Sequence, residues 1–403
     1  MTKSLRTLQF YIYLFLFFGF LNLALLKKPI DLLAGIFFAV LLVIISVTVR
    51  ILKKYYPMGD HLIFLLAISL CSIGLIMLFR LDRKIAVRQL VWLVLGIFLF
   101  LFIVLYLKKG IIKFSEYRYI FLAGTIIFMA MATFFGVEKL GAKNWVKIGL
   151  VGFQPSEFGK IFLILYLASA LSDICSRKQL IEPCIVIGIS LGFMVIQKDL
   201  GTALIIFAIA VTMVYLSTSK TRYVLISLGL FSIGGMASYA MFSHIRRRIM
   251  IWWNPWLYVY NESYQVVQSM YAIAMGGIFG RGLGMGNPGY VAVNESDFIF
   301  SVICEEMGLL IGFSVLILHF LLFYRSIRSA IHANNNFTKL LVSGLSVMIA
   351  VQALVIVGGV TGFIPLTGIT LPFVSYGGTS LLISFLALGI IQKVSEGDES
   401  ERK

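Results

Sequence analysis

Apolar residues occur in long runs that short polar loops separate. A helix needs about 20 apolar residues to cross a bilayer. Runs of this kind lie, within a few residues, at 9–26, 30–49, 61–79, 89–107, 118–135, 157–172, 183–196, 200–216, 222–242, 298–323, 338–359 and 376–392. The pattern predicts an all-α polytopic membrane protein with about 12 transmembrane helices.

The spacing of the runs also predicts where polar chemistry lies. Only Gln197-Lys198-Asp199 separates the seventh run from the eighth, which predicts a helical pair with a tight polar turn. Two loops are longer, at residues 136–157 and 243–297. Long polar loops tend to carry function.

Composition agrees with a membrane protein. Of the 403 residues, 60% are hydrophobic and 13% are charged, whereas a soluble domain is about 45–50% apolar. The first run is followed by Lys27-Lys28-Pro29 instead of a small-residue cleavage site, so we expect a retained span. Four cysteines lie in or beside apolar segments without metal-type spacing, and we expect inert core thiols: Cys71, Cys175, Cys184 and Cys304.

The net charge of +16 is carried mainly by short loops. Membrane lipid and anionic lipid-linked substrates are therefore favoured over nucleic acid. With a cytoplasmic N-terminus, 19 of the 34 Lys and Arg residues fall on the cytoplasmic side. This orientation has the expected sign and places both long loops outside. The weak bias reflects either basic outer loops that suit an anionic ligand, or noise.

Acidic residues near the tenth run are the first candidates for chemistry. Asp297 lies at the mouth of an apolar helix, where partial desolvation would improve a general base; alternatively Asp297 or Ser296 caps the helix. Glu305 and Glu306 follow two helical turns later, with Asp297 and Glu305 on roughly one face. Acids at membrane depth favour function, and the alternative is an internal pair with a buried Arg or Lys.

The two polar connections before the ninth run offer further candidates, each with a structural alternative. Lys143 and Trp145 lie in the first long loop, where the tryptophan either anchors at the interface or stacks on a sugar or lipid headgroup. Glu157 follows Pro155, which suits the first turn of a helix. Asp199 is either an N-cap for the eighth span or a ligand-binding acid, and Lys198 could pair with it or contact a phosphate.

The second long loop begins with a basic, aromatic segment. Arg246, Arg247 and Arg248 precede three tryptophans, a combination typical of an interfacial segment. Guanidinium groups also bind phosphate oxygens bidentately, so the arginines suit either a pyrophosphate or bulk anionic lipid.

Two glycine-containing segments predict irregular backbone. Residues 276–286, which include Arg281, lack the strand and the Lys-Ser/Thr ending of a nucleotide loop and predict a re-entrant turn or close helix approach. Residues 365–380, which include Ser375, predict a broken passage. Such a passage is better suited to line a cavity than to face lipid.

Together these motifs resemble the SEDS family (shape, elongation, division and sporulation). The matching segments occur in the family's order over about residues 61–393: 154–158, 199–201, 248–249, 254–255, 264–265, 268–269, 296–300, 305–308 and 365–380. The resemblance implies a ten-helix core at 60–393, two additional N-terminal helices within 1–59, and a short charged cytoplasmic tail at 394–403.

The resemblance also implies an activity. A member would be a peptidoglycan glycosyltransferase that polymerises lipid II at the outer face of the bacterial cytoplasmic membrane and releases undecaprenyl pyrophosphate. A class B penicillin-binding protein transpeptidase would be its partner. The family's catalytic aspartate falls on Asp297, and the tryptophan before its Gln-Pro-Ser-Glu-Phe motif falls on Trp145.

A mechanism follows from the residues and the resemblance together. Asp297 would act as the general base, and basic groups, or a divalent cation such as Mg or Mn, would neutralise the leaving pyrophosphate. The expected substrate-binding residues are Lys143, Trp145, Glu157, Asp199, Arg246, Arg248, Arg281, Glu305 and Ser375. The alternatives are a lipid II flippase, since broken helices and intramembrane acids also suit transport, and an inactive scaffold for the transpeptidase.

Three positions depart from the family pattern. Lys198 and Ala292 stand where proline is usual or frequent, and Ile356 stands where many members have asparagine. The turn at Lys198 is therefore expected to differ in shape.

Overall fold

A computed structural model of the chain describes residues 3–26, 30–107, 111–139, 141–149, 151–173, 177–260 and 263–396. The Lys27-Lys28-Pro29 segment, Cys175 and the end of the charged tail lie outside these ranges. The α-helices are α1 Lys3–Leu25, α2 Leu32–Tyr55, α3 His61–Leu81, α4 Arg83–Tyr106, α5 Arg118–Phe135, α6 Pro155–Leu171, α7 Ile181–Ile196, α8 Leu200–Thr218, α9 Thr221–Met241, α10 Ser243–Trp253, α11 Tyr264–Gly276, α12 Ile299–Ile331, α13 Asn336–Val360 and α14 Gly378–Val394.

Hydrophobic helices make up most of the described chain, which confirms the all-α membrane class. Ten of the helices in the described ranges are long and apolar enough to cross a membrane. Helices α6 and α14 occupy the remaining two predicted runs and have 17 residues each. The predicted total of twelve spans is therefore not confirmed.

The core forms around two almost entirely buried helices, α3 and α13. In their most apolar windows 89% and 83% of residues are buried, against 0% in α9. Helix α9 therefore lies at the periphery, with its side chains facing outward. Of the described cysteines, Cys71 and Cys304 are buried and Cys184 is exposed. The expectation of a core thiol is wrong for Cys184, because its position on α7 faces away from the bundle.

Polar residues at the ends of the apolar runs start several helices. The side chains of Asp31, Asp60, Asp82 and Asn335 accept backbone N–H bonds at the first turns of α2, α3, α4 and α13. Such caps satisfy N–H groups that have no partner within the helix. Pro155 occupies the first turn of α6, as its fixed φ favours.

Alternate connections meet at opposite ends of the bundle. At the end that we call the loop end, Arg80 of α3 donates to Gly284 O after α11, Lys143 N after α5 donates to Gln197 O after α7, and Arg248 of α10 donates to Leu366 O after α13. At the other end, Arg325 pairs with Asp60 at 2.6 Å, and Arg118 pairs with Glu182 at 2.6 Å. Successive membrane helices therefore run up and down between the two ends.

The first long loop contains a small antiparallel sheet that the sequence analysis did not predict. Its strands are β1 Val137–Lys139, β2 Ala142–Ile148 and β3 Val151–Phe153, in the order β1-β2-β3. Trp145 pairs with Val137, and Val146 pairs with Phe153. The sheet holds the polar loop against the ends of α5 and α6.

The two N-terminal helices pack against the rest of the bundle through aromatic side chains. The rings of Phe20 in α1 and Phe37 in α2 lie 5.6 and 5.0 Å from the ring of Phe79 in α3. At the loop end, Arg83 forms an ion pair with Asp31. These contacts make α1 and α2 an additional layer on α3.

Helix α12 is broken at Gly308, which has φ +83°. The opened backbone bonds to the glycine-rich segment: Arg281 N donates to Glu305 O at 2.9 Å, and Leu309 N donates to Gly277 O at 3.0 Å. A Cβ on Gly308 would lie 2.4 Å from Gly280 N. This contact confirms the predicted close approach of the glycine-rich segment to a helix.

Candidate active site

Asp297 lies just before α12, next to the non-helical segment at residues 361–377 between α13 and α14. This segment, which we call the broken passage, contains all but the last three residues of the passage predicted at 365–380. Its Oδ1 accepts a hydrogen bond from Ser296 Oγ at 2.9 Å, and the side chain is partly exposed. A Cβ on Gly368 would lie 3.4 Å from Asp297 Oδ2. The carboxylate therefore faces the irregular backbone at the loop end, instead of being enclosed in the apolar core.

The passage is held against the Asp297 turn by a set of short hydrogen bonds. Ser375 Oγ donates to Ser296 O at 2.6 Å and accepts from Leu371 N at 2.8 Å. Tyr376 N donates to Glu295 O at 2.9 Å. Gln89 Nε2 donates to Ser375 O at 3.0 Å. Ser375 is buried, so in this structure it positions the site and does not present its hydroxyl to a ligand.

Arg248 reaches the same region from α10. Its Nη1 donates to Leu366 O at 3.4 Å and to Thr367 O at 3.3 Å. Burial lowers the pKa of the Arg248 guanidinium, while the carboxylates of Asp199 and Asp297 raise it. Arg248 is therefore a partly desolvated cation whose pKa two acids influence, and it remains charged because arginine starts from a very high pKa.

Asp199 joins this site from the turn between α7 and α8. Its Oδ1 caps α8 by accepting from Thr202 N at 3.0 Å. Its Oδ2 accepts from Asn144 Nδ2 at 3.1 Å and from Gln154 Nε2 at 3.0 Å. The N-cap interpretation is thus confirmed for this buried residue, and the amides that hold it come from strand β2 and from the residue that follows β3.

Lys143 and Trp145 lie on strand β2. Lys143 is exposed, and its Nζ donates to Thr133 O at the end of α5, at 2.9 Å. Trp145 is half-buried, and its ring lies against Gly152 on β3. Lys198, whose partner the sequence left open, has its Nζ 3.8 Å from Glu138 Oε1.

Glu157 belongs to a buried polar network inside the bundle. Lys160 Nζ donates to Glu157 Oε1 and to Gln352 Oε1, each at 3.0 Å. Gln352 Nε2 in turn donates to Thr370 O at 3.0 Å, within the broken passage. A buried charge is stable only when it is paired, and this network places Glu157 behind the site as a support for the passage.

Glu305 and Arg281 form a second polar cluster on the glycine-rich segment. Arg281 Nη1 lies 3.5 Å from Glu305 Oε1, which also accepts from Asn287 N at 2.9 Å. The neighbouring Glu306 pairs with Arg80 at 3.3 Å. Both acids thus have the internal pairs that the sequence allowed, and the cluster fastens the glycine-rich segment to α12.

Arg246 lies on another side of α10 from Arg248. Its Nη2 donates to Ala240 O at 3.0 Å, and its guanidinium lies 5.8 Å from the Tyr239 ring. The structure therefore brings together Asp297, Arg248, Asp199 and Ser375, and places Glu305 with Arg281 and Arg246 with Tyr239 elsewhere. The sequence analysis did not select Gln89, Asn144 or Gln352 as site residues. It included Gln154 in the family motif at 154–158 but did not predict that its side-chain amide bonds to Asp199.

The described residues do not form a complete metal site. No group of three His, Cys, Asp or Glu side chains in the described ranges is placed to hold an ion. Mg²⁺ is often held by one or two carboxylates together with substrate phosphates, so a divalent ion here would need oxygens from a diphosphate.

The fold and this site define a polytopic α-helical membrane protein with an acid and an arginine that border the same non-helical segment, at residues 366–368, at one end of the bundle. Residues 60–400 match the model of the FtsW/RodA/SpoVE family, described as a cell cycle protein. The chain belongs to this family, which confirms the resemblance seen in the motifs.

Relatives cover most of the chain. It is 34% identical over 375 residues to the peptidoglycan glycosyltransferase RodA of Mycobacterium tuberculosis, covering 86% of this chain and 80% of the relative. It is 31% identical over 363 residues to the stage V sporulation protein E of Bacillus subtilis, covering 85% and 98%. It is 34% identical over 379 residues to the probable peptidoglycan glycosyltransferase FtsW of that organism, covering 85% and 92%.

Solved structures share the architecture. A chain from a peptidoglycan synthase complex, described as coordinating polymerization and crosslinking, matches with a TM-score of 0.71 and 27% identity. The rod shape determining protein RodA of Thermus thermophilus matches with a TM-score of 0.64 and 26% identity. Each comparison covers 84% of this chain and 97% of the other.

Proposed function

We propose that this protein is a peptidoglycan glycosyltransferase that polymerises lipid II, with the loop end on the outer side of the cytoplasmic membrane. Family membership and the names of the relatives support the enzyme class. The single observation that carries the chemistry is Asp297 at the mouth of α12, beside Gly368, with Arg248 bonded to the carbonyls of the adjacent Leu366 and Thr367.

In this proposal Asp297 removes the proton from the 4-hydroxyl of the GlcNAc on an acceptor lipid II. The oxygen forms a bond to the anomeric carbon of the MurNAc at the end of the growing chain, and the bond from that carbon to the diphosphate breaks. Attack from the opposite face inverts the α-linkage to β. One base suffices, because the diphosphate leaves as an anion and needs no general acid.

Arg248 is suited to the leaving group. Its guanidinium faces the Asp297 region, is partly desolvated, and is fixed by the carbonyls of Leu366 and Thr367. A fixed cation in a partly dry site stabilises developing negative charge more than one in water does. The polyprenyl tail would extend between helices beside the broken passage.

Asp199, Glu157 and Ser375 support this geometry from behind. Each is bonded to backbone or side chains of the loop end, through the Thr202 cap, the Lys160–Gln352 network and the Ser296 carbonyl. A class B penicillin-binding protein is the partner that the family suggests. The similar chain that was solved within a peptidoglycan synthase complex supports the proposal of a transpeptidase partner.

Reconstitution separates the enzyme from a flippase. Purified protein in liposomes containing labelled lipid II should yield glycan polymers, and more of them when the partner transpeptidase is present. Transfer of labelled lipid II across the bilayer without any polymer would support the flippase and overturn the proposal. Polymer that forms only when the transpeptidase is present, and is unchanged by Asp297→Asn, would indicate a scaffold.

A further inference from the structure

The two N-terminal helices form an antiparallel hairpin that precedes the part of the chain matching the family model. Helices α1 and α2 end before residue 60, where the match begins. Tyr13 Oη lies 2.8 Å from Ser46 Oγ, and Asp31 N donates to Ala24 O at 3.1 Å. The second bond closes the hairpin at the loop end. The family motifs assign this hairpin no role, so its role must be read from its contacts.

The closed end of the hairpin touches the glycine-rich segment. A Cβ on Gly284 would collide with Leu26 Cδ1 and would lie 3.4 Å from Leu26 Cγ. The Leu26 side chain therefore fills the place that a side chain at position 284 would need. Gly284 has φ +88°, a conformation that glycine adopts without strain. Hairpin and segment are thus in direct contact.

Arg80, near the end of α3, holds the same glycine from a second direction. Its Nη2 donates to Gly284 O at 3.3 Å and to Gly286 O at 3.5 Å, and its Nε lies 3.3 Å from Glu306 Oε1. Glu306 Oε2 in turn accepts from Gly284 N at 2.8 Å. Because Glu306 is buried, the loss of its cationic partner would be costly.

The hairpin is fastened to α3 directly beside this arginine. Arg83 forms an ion pair with Asp31, and its guanidinium lies 5.7 Å from the ring of Phe79. Both N-terminal helices pack aromatic rings against Phe79. Since Phe79 and Arg80 are consecutive, the packing of the hairpin also fixes the part of α3 that presents Arg80.

The glycine-rich segment leads into the turn that carries Asp297. Just after the segment, Asn287 N donates to Glu305 Oε1 at 2.9 Å. Asn294 Nδ2 then donates back to Pro288 O at 2.7 Å, three residues before Asp297. A continuous series of contacts therefore joins the hairpin to the carboxylate.

We propose that the α1–α2 hairpin is a brace for the Asp297 turn, in which Leu26 and Arg80 are positioning residues. This inference rests on the proposed function and extends it to helices outside the matched region. Both side chains act through the glycine-rich segment and not on the substrate. Displacement of a catalytic group by about 1 Å can cost about 100-fold in rate, so a brace at this distance from the chemistry matters for turnover.

Hydrogen exchange tests the brace without turnover. Leu26→Ala should speed exchange of the backbone N–H groups in residues 284–298 by about tenfold or more, because local opening becomes easier there. Exchange around Asp60 and Arg325, at the opposite end of the bundle, should stay as in the wild type. The matched control is Leu25→Ala, at the adjacent leucine with 60% of its surface exposed, and it should exchange like the wild type.

Two results of this measurement would overturn the inference. Equal exchange of residues 284–298 in Leu26→Ala and Leu25→Ala would show that the hairpin does not hold the segment. Faster exchange throughout the Leu26→Ala protein would show a general loss of stability instead of a local brace.

Steady-state kinetics test the effect on Asp297. Arg80→Gln should lower kcat for lipid II polymerisation about tenfold or more, with KM changed by less than about threefold, because substrate contacts remain and only the base is displaced. Arg80→Lys keeps a cation beside Glu306 and should recover part of kcat. Arg50→Gln, at an exposed arginine of α2, is the matched control and should retain kcat.

An unchanged kcat in folded Arg80→Gln protein, or a raised KM with unchanged kcat, would contradict the positioning role. If Arg80→Gln does not fold, the kcat of Leu26→Ala against Leu25→Ala decides the same question. If wild-type protein makes no glycan, the proposed function fails, whereas the exchange measurement still decides whether the hairpin holds the segment.

Discussion

At the scale of single residues, the backbone at Lys198 explains a departure from the family pattern. Lys198 has φ +62°, and its N–H donates to Val195 O at 3.1 Å. Proline cannot adopt a positive φ, and it has no backbone N–H to donate this hydrogen bond. The turn that presents Asp199 is therefore built differently from a turn with proline at this position, as the sequence led us to expect.

This conformation makes Lys198 a clear test of the local backbone. Lys198→Gly should leave stability unchanged or slightly improved, because glycine adopts a positive φ without strain. Lys198→Pro should lower the free energy of unfolding by more than about 1 kcal/mol. Thermal unfolding in detergent measures both, and equal stability of the two variants would contradict the turn geometry.

Asp199 offers a second prediction at this scale. Asp199→Asn keeps the cap on Thr202 N but turns an NH₂ group toward the amide donors of Asn144 and Gln154. Buried donors that face each other without an acceptor should cost about 1–3 kcal/mol. Thermal unfolding should therefore show a loss for Asp199→Asn, and Gln154→Glu combined with Asp199→Asn should recover part of it by supplying an acceptor. No loss in the single variant would contradict the observed bonds.

At the scale of elements, the broken helix α12 carries the glycine-rich segment. Gly308 and Gly280 both have positive φ. A Cβ added to either glycine would lie only 2.4–2.5 Å from the backbone nitrogen of the other. Backbone cannot move aside as a flexible side chain can. The break is therefore a fixed feature that joins α11 and α12.

Gly308→Ala should accordingly destabilise the protein by about 1–3 kcal/mol or more, from strain and collision combined. Gly188→Ala on α7 is the matched control, because no atom lies within 4 Å of its Cβ position. The control should unfold at the wild-type temperature or slightly above it. Equal unfolding temperatures for the two variants would show that the break is not a structural requirement.

The hydrophobic pattern predicts the long helices of this fold but not its short elements. Hydrophobic periods located every long helix from α1 to α9, with bounds that differ by at most six residues, at the starts of α1 and α4 and the end of α2, because burial in lipid or core dictates these helices directly. They did not predict β1–β3, α10 or α11, since these short elements depend on tertiary contacts. The pattern ended the tenth run at residue 323, whereas α12 extends to Ile331, where Ser326 and Ser329 are buried.

The candidate site shows the same limit. Asp297, Arg248 and Asp199 could be selected from the sequence because charges beside apolar runs are unusual. The pairing of Glu157 with Lys160 and of Glu305 with Arg281, away from Asp297, could not be predicted from the sequence. Several basic partners were available for each acid. Only the packing of the helices decides among them.

At the scale of the whole molecule, polar groups separate into two ends. Asp297, Asp199 and Arg248 lie at the loop end, while Asp60, Arg325 and Glu182 lie at the other. The function proposed for the loop end requires it to be outside the cell. The distribution of Lys and Arg favours this orientation with only a small excess.

Thiol accessibility tests the orientation. In a protein whose native cysteines are replaced, Tyr260→Cys at the loop end and His332→Cys at the opposite end both introduce exposed thiols. A membrane-impermeant maleimide should label Tyr260→Cys in intact spheroplasts and His332→Cys only after permeabilisation. The reverse pattern would place the proposed chemistry on the wrong side of the membrane.

The central claim is that Asp297 performs the chemistry. Polymerisation of lipid II by purified Asp297→Asn protein tests it most directly, with Glu295→Gln as the control, because the neighbouring Glu295 contributes its backbone carbonyl to the site. Loss of a general base should reduce turnover by about 10²–10⁴-fold, while the control should retain activity and both proteins should unfold at the wild-type temperature. Wild-type turnover by the folded Asp297→Asn protein would contradict the account.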